Sequence, residues 1–538
     1  MPAQYDAIVI GSGHNGLTCA CYLAKAGLKV LVLEQYHSIG GMTNTEEKTL
    51  PGFKSDTHAT CIQFANFSPV PNELKLARYG FELIYPALCL THAFPDGGSI
   101  SVHRNLDQTC QSIAPYSKKD ANAWRNLYQA FLEQKDSICQ SFNRPPASFA
   151  DEATALENLP NGLDQYRFQM RSLRSWCNEM FEAEQTKTLL ATWGMHGGAS
   201  PDDVGGGSMS WLFSMMIQHF GNNVVKGGMR HLPQALAGFL KAHNGEIRTN
   251  AHVKRIVVEN EKAVAVQLLD GEEIKSEKLI ASNVHPRHLV IDLLGENAVG
   301  EKIAEKIQQY EVGESVMVVY LALDKPVHFK AGTKAEQSVY VHPTPPSIDY
   351  LSGVFHEARS GLLPGKPFTL ICNDTAADPS RVPPGKGLMK LVVQPIPYLI
   401  KGDAGGRIRG RTWNEVKETF ADRIIDLVTR DYIPDLRDKI VKRVVYSPQD
   451  LEKSLSSAVQ GTTTHGALVP YQMGAMRPIP GMGNYRSPIA NVYLCGSGSH
   501  PGPGVTMAPG RNAAQVIYRD LGLSFTEFPS KTDSWPRS

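Results

Sequence analysis

The stretch Tyr5-Asp-Ala-Ile-Val-Ile10 is short, apolar and β-branched, and it runs directly into Gly11-Ser-Gly13-His14-Asn15-Gly16. A buried parallel strand reads this way. Leu17, Ala20, Cys21 and Ala24 then recur at helical spacing, Gly27 suits a helix C-cap, and the strand Lys29–Leu33 ends on Glu34. A G-x-G-x-x-G by itself is weak. Between a strand and a helix, with an acid 18 residues past its last glycine, it predicts a βαβ unit that holds a dinucleotide. Gly11 permits the tight turn, Gly13 lets backbone approach a pyrophosphate at the helix N-terminus, and Gly16 allows close helix–strand packing. Glu34 can accept from ribose hydroxyls.

The chain closes as it opens. Asn491–Cys495 reads as a short strand, Gly496 to Gly504 as a glycine-rich turn, and Val505 onward as a helix. Such a helix would aim its positive end into a cleft and stabilise the negative charge of a reduced flavin. A simple nicotinamide dehydrogenase needs no closing element of this kind, and no second dinucleotide fingerprint follows a strand. The predicted cofactor is therefore FAD. Gly40 and Gly41 mark a loop past which a long dinucleotide can run, and Met507 either lies against the flavin ring or packs in the core.

At 538 residues the chain is long enough for two or three domains. The expected class is α/β: a Rossmann-type FAD-binding domain with a mixed-sheet plus helical substrate domain. The discontinuous FAD-binding domain is placed at 1–110, 225–290 and 480–525, the substrate domain at 111–224 and 291–479, and a tail at 526–538. Residues 115–190 read as helical, with Trp124, Leu127, Phe131 and Leu132 on one face. A helix is expected at Leu232–His243, and strands at 253–259, 263–269 and 278–282, with Asp270-Gly271 as a hairpin turn. Further strands at 310–325 and 387–394 belong to a second sheet, and proline-rich 343–346 and 378–384 read as surface loops.

A net charge of +1 supplies no field for nucleic acid or an anionic bilayer. Nine scattered cysteines without a C-x-x-C argue against a disulfide-reductase site and a zinc ribbon, and suit a cytoplasmic location. No clustered Cys/His set suggests a metal. No run of 18 apolar residues predicts a spanning helix, which leaves peripheral membrane contact open. The sequence carries no signal of oligomeric state.

Several segments together resemble the phytoene-desaturase-like flavoproteins, which share a fold with monoamine oxidases. They are Val9 through Leu17, Leu31 through Glu34, Ile39-Gly-Gly-Met42, Gly227-Gly-Met229, Ala281 through Pro286, Arg477-Pro478, and Asn491 through Ala513. The resemblance is strongest to the branch with β-carotene ketolases and pyridine nucleotide-disulfide oxidoreductase domain-containing protein 2. It implies pyrophosphate contact at Gly11, Gly13 and Gly16, ribose contact at Glu34, adenine contact through backbone at Val253, and flavin contact near Gly496 and Val505, Thr506 and Met507. His14, Asn15 and Gly41 are further candidates for holding the cofactor. The sequence departs at Met42, where alanine or arginine is usual, and at Val284-His285-Pro286, which replaces Ala-Asp-Pro.

The resemblance implies hydride transfer from a substrate C–H to flavin N5, with oxygen or a quinone as electron acceptor. The expected substrate is an apolar small molecule, isoprenoid or lipid-like. Oxidation of an amine, a redox-neutral isomerisation and a non-catalytic flavin-stabilised binding role are the alternatives. Candidates for proton handling are His500, inside the closing turn, and His196, in Trp193-Gly-Met-His196. For each, a structural histidine bonded to its surroundings is the preferred reading. Met209 through Met216 either line an apolar channel or form ordinary core, and Arg511 reads as a flavin contact or a helix-surface residue.

Overall fold

The computed structural model describes residues 4–63 and 66–526. Two seven-stranded sheets organise it. The first has the order Glu246–Arg248, Val30–Leu33, Tyr5–Ile10, Glu273–Ser282, Lys262–Leu268, Val253–Glu259, with Val492–Leu494 also pairing Glu273–Ser282. Tyr5–Ile10 pairs in parallel with Val30–Leu33 and with the second half of Glu273–Ser282. The first half of that long strand pairs antiparallel with Lys262–Leu268, across the turn at Asp270-Gly271. Central parallel strands are buried on both faces, so residues 30–33 are apolar without alternation.

The first helix, His14–Lys25, lies between this sheet and two others, His231–Ala242 and Ala508–Asp520. It ends at Ala26, and Gly27 follows with φ +86°, left-handed geometry that glycine adopts without strain. Two glycines set the packing distances. A Cβ at Gly16 would stand 2.3 Å from the carbonyl of Gly11, and one at Gly510 would stand 2.1 Å from that of Asn15. Beginning and end of the chain are thus pressed together.

The second sheet has the order Ile440–Tyr446, Ser315–Leu323, Gly387–Ile396, Thr369–Cys372, Tyr340–Pro343, Leu88–Ala93, Ser99–His103. One face is covered by the helix Trp413–Asp431, whose Val416, Phe420 and Ile424 pack with Met317, Val319 and Leu391. Against the other face lie Glu184–His196 and Gly206–Phe220. The helix Lys118–Phe142 buries Trp124 and Phe131, the face expected from their spacing.

Several expectations need correction. Leu88–Ala93 and Ser99–His103 fall inside the stretch 1–110 assigned to the nucleotide unit, yet they extend the second sheet, because Leu88–Ala93 pairs with Tyr340–Pro343. Conversely, Leu293, Leu294, Ala304 and Ile307 pack on the first sheet, so that unit runs past residue 290. Pro343 ends a buried strand rather than lying in a surface loop. Residues 378–384 reach the surface at Pro379, Ser380 and Pro384, but the stretch is anchored inward: Asp378 and Arg381 are buried, and Arg381 pairs with Asp56 at 3.1 Å. Beyond Thr526, the anticipated tail lies outside the described residues. Among the described residues no helix is long and apolar enough to cross a membrane.

Candidate functional site

A cavity of about 610 Å³ runs between the two sheets, within the range of about 300–1,000 Å³ usual for small-molecule sites. One end is built by the first βαβ unit. Gly11, Gly13, His14, Asn15, Glu34, Gly41 and Val253 all line it. Gly13 caps the first helix, whose leading amides have no acceptor within the helix and offer a positive end. Gly11 takes φ +93°, and a Cβ on Gly13 would sit 2.6 Å from Asn283 Nδ2. The Glu34 carboxylate accepts from the Ser12 amide (2.9 Å) and hydroxyl (2.6 Å) through Oε2, and from the Tyr36 amide (3.0 Å) through Oε1. Its orientation is set before any ribose arrives. Glycines keep this cradle open, Glu34 retains acceptor capacity, and Asn15 Oδ1 is buried without a hydrogen-bond partner among the described residues. The donor and acceptor set fits an adenine dinucleotide.

The middle of the cavity joins the two ends of the chain. Asn15 Nδ2 donates to Ser497 Oγ at 2.9 Å, and Ser497, Gly504 and Val505 line the cavity beside Met42. Arg477 braces this wall. It is fully buried, and its guanidinium donates to carbonyls of Ser497 (2.9 Å), Thr464 (3.1 Å) and Ala467 (3.2 Å). Burial without a carboxylate partner holds it below the usual arginine range.

The far end lies against the second sheet and the helices Glu184–His196 and Gly206–Phe220. Trp193, Phe213, Leu370, Val392 and Leu468 give it an apolar lining, and Tyr340, His196 and Gln394 supply polar atoms. Burial pushes His196 down to about 4 and raises the Tyr340 phenol, so both stay neutral at ordinary pH. Among the described residues that line this end there is no aspartate or glutamate.

The remaining expected site residues fall outside the lining. Gly16 and Gly496 pack against neighbouring backbone. Thr506 accepts from the Ala508 amide at 3.1 Å, and Met507 is the N-cap of the closing helix, buried in the core. That helix begins at Ala508, not near Val505, because Val505 and Met507 both adopt positive φ. His500 is not among the residues lining this cavity; its Nε2 lies 2.9 Å from the Ser141 carbonyl, the contact of a backbone-bonded loop histidine. Arg511 reaches no cavity; it pairs with buried Glu73 at 2.8 Å. In the Met/Trp/Phe stretch only Phe213 lines the cavity, while Met215 and Met216 are core. Gln394 and Tyr340 escaped the sequence reading. Gln394 left one signal, a polar residue inside the apolar strand Leu-Val-Val-Gln-Pro-Ile.

A family model described as flavin containing amine oxidoreductase matches residues 16–517. Pyridine nucleotide-disulfide oxidoreductase domain-containing protein 2 of Mus musculus is 29% identical, over 96% of this chain and 94% of that protein. A limonene dehydrogenase polypeptide of Castellaniella defragrans is 28% identical, over 97% of this chain and 96% of that one. Among solved structures, cyclohexylamine oxidase from Brevibacterium oxydans superposes with a TM-score of 0.59 at 15% identity, over 97% of this chain and 100% of that one. The likeness to that structure is one of fold.

Proposed function

The chain belongs to the flavin containing amine oxidoreductase family and is an FAD-dependent oxidoreductase, and from that premise we propose that it dehydrogenates or otherwise oxidises an apolar, isoprenoid-like substrate. One observation carries this reading: the far end of the cavity is walled by Trp193, Phe213, Leu370, Val392 and Leu468, and among the described residues lining it there is no carboxylate. An ammonium ion buried there would lack the counter-charge that offsets its desolvation, so amine oxidation is disfavoured despite the shared fold. The relatedness to a limonene dehydrogenase, named for a hydrocarbon, points the same way.

FAD supplies the two-electron chemistry when bound. The chain's own residues divide the remaining tasks. Gly11, Gly13 and the first-helix amides would receive the pyrophosphate, and Glu34 would receive the ribose. Ser497, Gly504 and Val505 would stand beside the flavin, and the apolar far end would orient the substrate and exclude water. Oxygen or a quinone, both small and uncharged, serves as acceptor in this reading. An exposed apolar face supports peripheral contact with a neutral lipid surface: Leu163, Tyr166 and Met170 share one side of the helix Gly162–Met170, and Met170, Val204 and Tyr471 border a second cleft beside the cavity wall. The function is tested by mixing the FAD-loaded protein anaerobically with isoprenoid hydrocarbons and alcohols and, separately, with primary amines. Bleaching of the long-wavelength flavin band by the isoprenoids is expected; bleaching by amines alone would overturn the proposal.

A further inference from the structure

His196 is the last residue of the helix Glu184–His196, and it is not an isolated polar group. A chain of hydrogen bonds leads from it into the protein. His196 Nε2 lies 3.0 Å from His342 Nε2, His342 Nδ1 lies 2.9 Å from Thr192 Oγ1, and the Thr192 hydroxyl donates to the Leu189 carbonyl at 3.1 Å. On the other side of the ring, Gln394 Nε2 is 3.4 Å from His196 Nδ1 and donates to the Met195 carbonyl at 3.1 Å.

The directions of these bonds resolve in one way. With the Thr192 proton on the Leu189 carbonyl, Thr192 Oγ1 accepts from His342 Nδ1–H, the assignment under which an acceptor rather than a second donor faces the Gln394 amide nitrogen. His342 Nε2 is then the lone-pair nitrogen, and His196 must donate to it through Nε2–H. Nδ1 of His196 is left as an acceptor, which agrees with the amide nitrogen of Gln394 as its neighbour. The contact to Gln394 is long at 3.4 Å, so an arriving hydroxyl competes for the single Nδ1 lone pair. Packing locks the arrangement: Trp193 lies 5.2 Å from the His196 ring and 5.0 Å from that of His342, and His342 is fully buried.

His196 and Gln394 both line the apolar end of the cavity. A neutral acceptor among aromatic and aliphatic walls, held only by a long contact, selects a neutral donor, because a cation buried there without a counter-charge is costly. We propose that His196 Nδ1 accepts a hydrogen bond from the hydroxyl of an otherwise apolar alcohol, with His342 and Thr192 as positioning residues that fix its tautomer. This rests on the proposed function and narrows it to apolar alcohols. Burial, which keeps His196 neutral down to about pH 4, maintains the acceptor throughout the ordinary range.

The test pairs limonene with perillyl alcohol, which adds one hydroxyl to the same skeleton, and reads binding from the flavin spectrum of the FAD-loaded protein. The alcohol is expected to bind about five- to tenfold more tightly than the hydrocarbon. His196→Phe should erase that preference, and His196→Asn, whose Oδ1 stands in for Nδ1, should restore it. ¹⁵N-histidine spectra of the same protein should show His196 protonated at Nε2 and bare at Nδ1, and His342→Phe should mix the two tautomers. A preference that survives His196→Phe, or a protonated Nδ1, would overturn the inference. Failure of both probes to bind would instead count against the apolar-substrate reading, and the nitrogen spectrum would still decide the His196 tautomer.

Discussion

Glu34 shows how one side chain is prepared for its ligand. A carboxylate offers about four acceptor sites. Oε2 uses two of them on Ser12 and Oε1 uses one on Tyr36, which leaves one directed capacity for a ribose hydroxyl. Glu34→Gln should therefore raise the FAD dissociation constant about 10- to 100-fold, the value of a charge-assisted hydrogen bond worth about 1.5–3 kcal/mol. Titration of apoprotein with FAD checks this, and an unchanged affinity would remove Glu34 from the ribose. The residue was legible in the sequence because its chemistry depends on local spacing: strand, glycines, helix, strand, acid. The contacts of His500 and Arg511 were not legible, for the opposite reason. Their partners, Ser141 and Glu73, lie hundreds of residues away in the chain, and no local pattern reveals them.

At the level of elements, the opening strand Tyr5–Ile10 and the strand Val253–Glu259 have the bounds their patterns predict, because a buried parallel strand and a half-buried hairpin strand each impose a simple periodicity. Where backbone conformation departs from periodicity, the reading slips. The closing helix starts three residues late because positive φ at Val505 and Met507 carries the chain around a turn. That helix is anchored by Arg511, whose guanidinium donates to both carboxylate oxygens of Glu73 (2.9 and 2.8 Å) and to the Asn143 carbonyl (2.7 Å). Tyr22 of the first helix donates to the same carboxylate. Arg511→Met should cost about 3–5 kcal/mol, since it leaves a buried carboxylate unpaired. Adding Glu73→Gln should recover part of the loss. Denaturant unfolding of the single and double variants measures both. A single variant as stable as the parent would show that the pair does not hold the helix.

On the scale of the molecule, two sheets and both chain ends enclose one cavity, and the enclosure buries many histidines in neutral form. Burial holds His92, His58 and His465 down to about 3 and His196 to about 4, with positive neighbours adding to the effect at His58 and His465. A depressed folded value favours the native state above the unfolded value of about 6.5. That contribution is lost as pH falls from there toward 3. Each such histidine steepens the acid loss by about 1.4 kcal/mol per pH unit. His92 sits between Phe94 and His342, and neither ring nitrogen has a hydrogen-bond partner among the described residues. His92→Leu should therefore flatten the stability profile between about pH 6 and 4; equal slopes would contradict the burial argument. Of the cavity's far end the sequence offered His196 and the stretch that holds Phe213; Tyr340 and Gln394 were not legible, since they come from separate strands that only the second sheet brings together. The central claim is that a dinucleotide spans from the opening βαβ unit to the closing turn, and a crystal structure of the FAD-loaded protein tests it most directly. The account predicts continuous FAD density from Val253 and Glu34, past Gly11 and Gly13, to an isoalloxazine ring beside Gly504 and Val505; density that leaves the ring away from those two residues, or FAD bound outside this cavity, would contradict it.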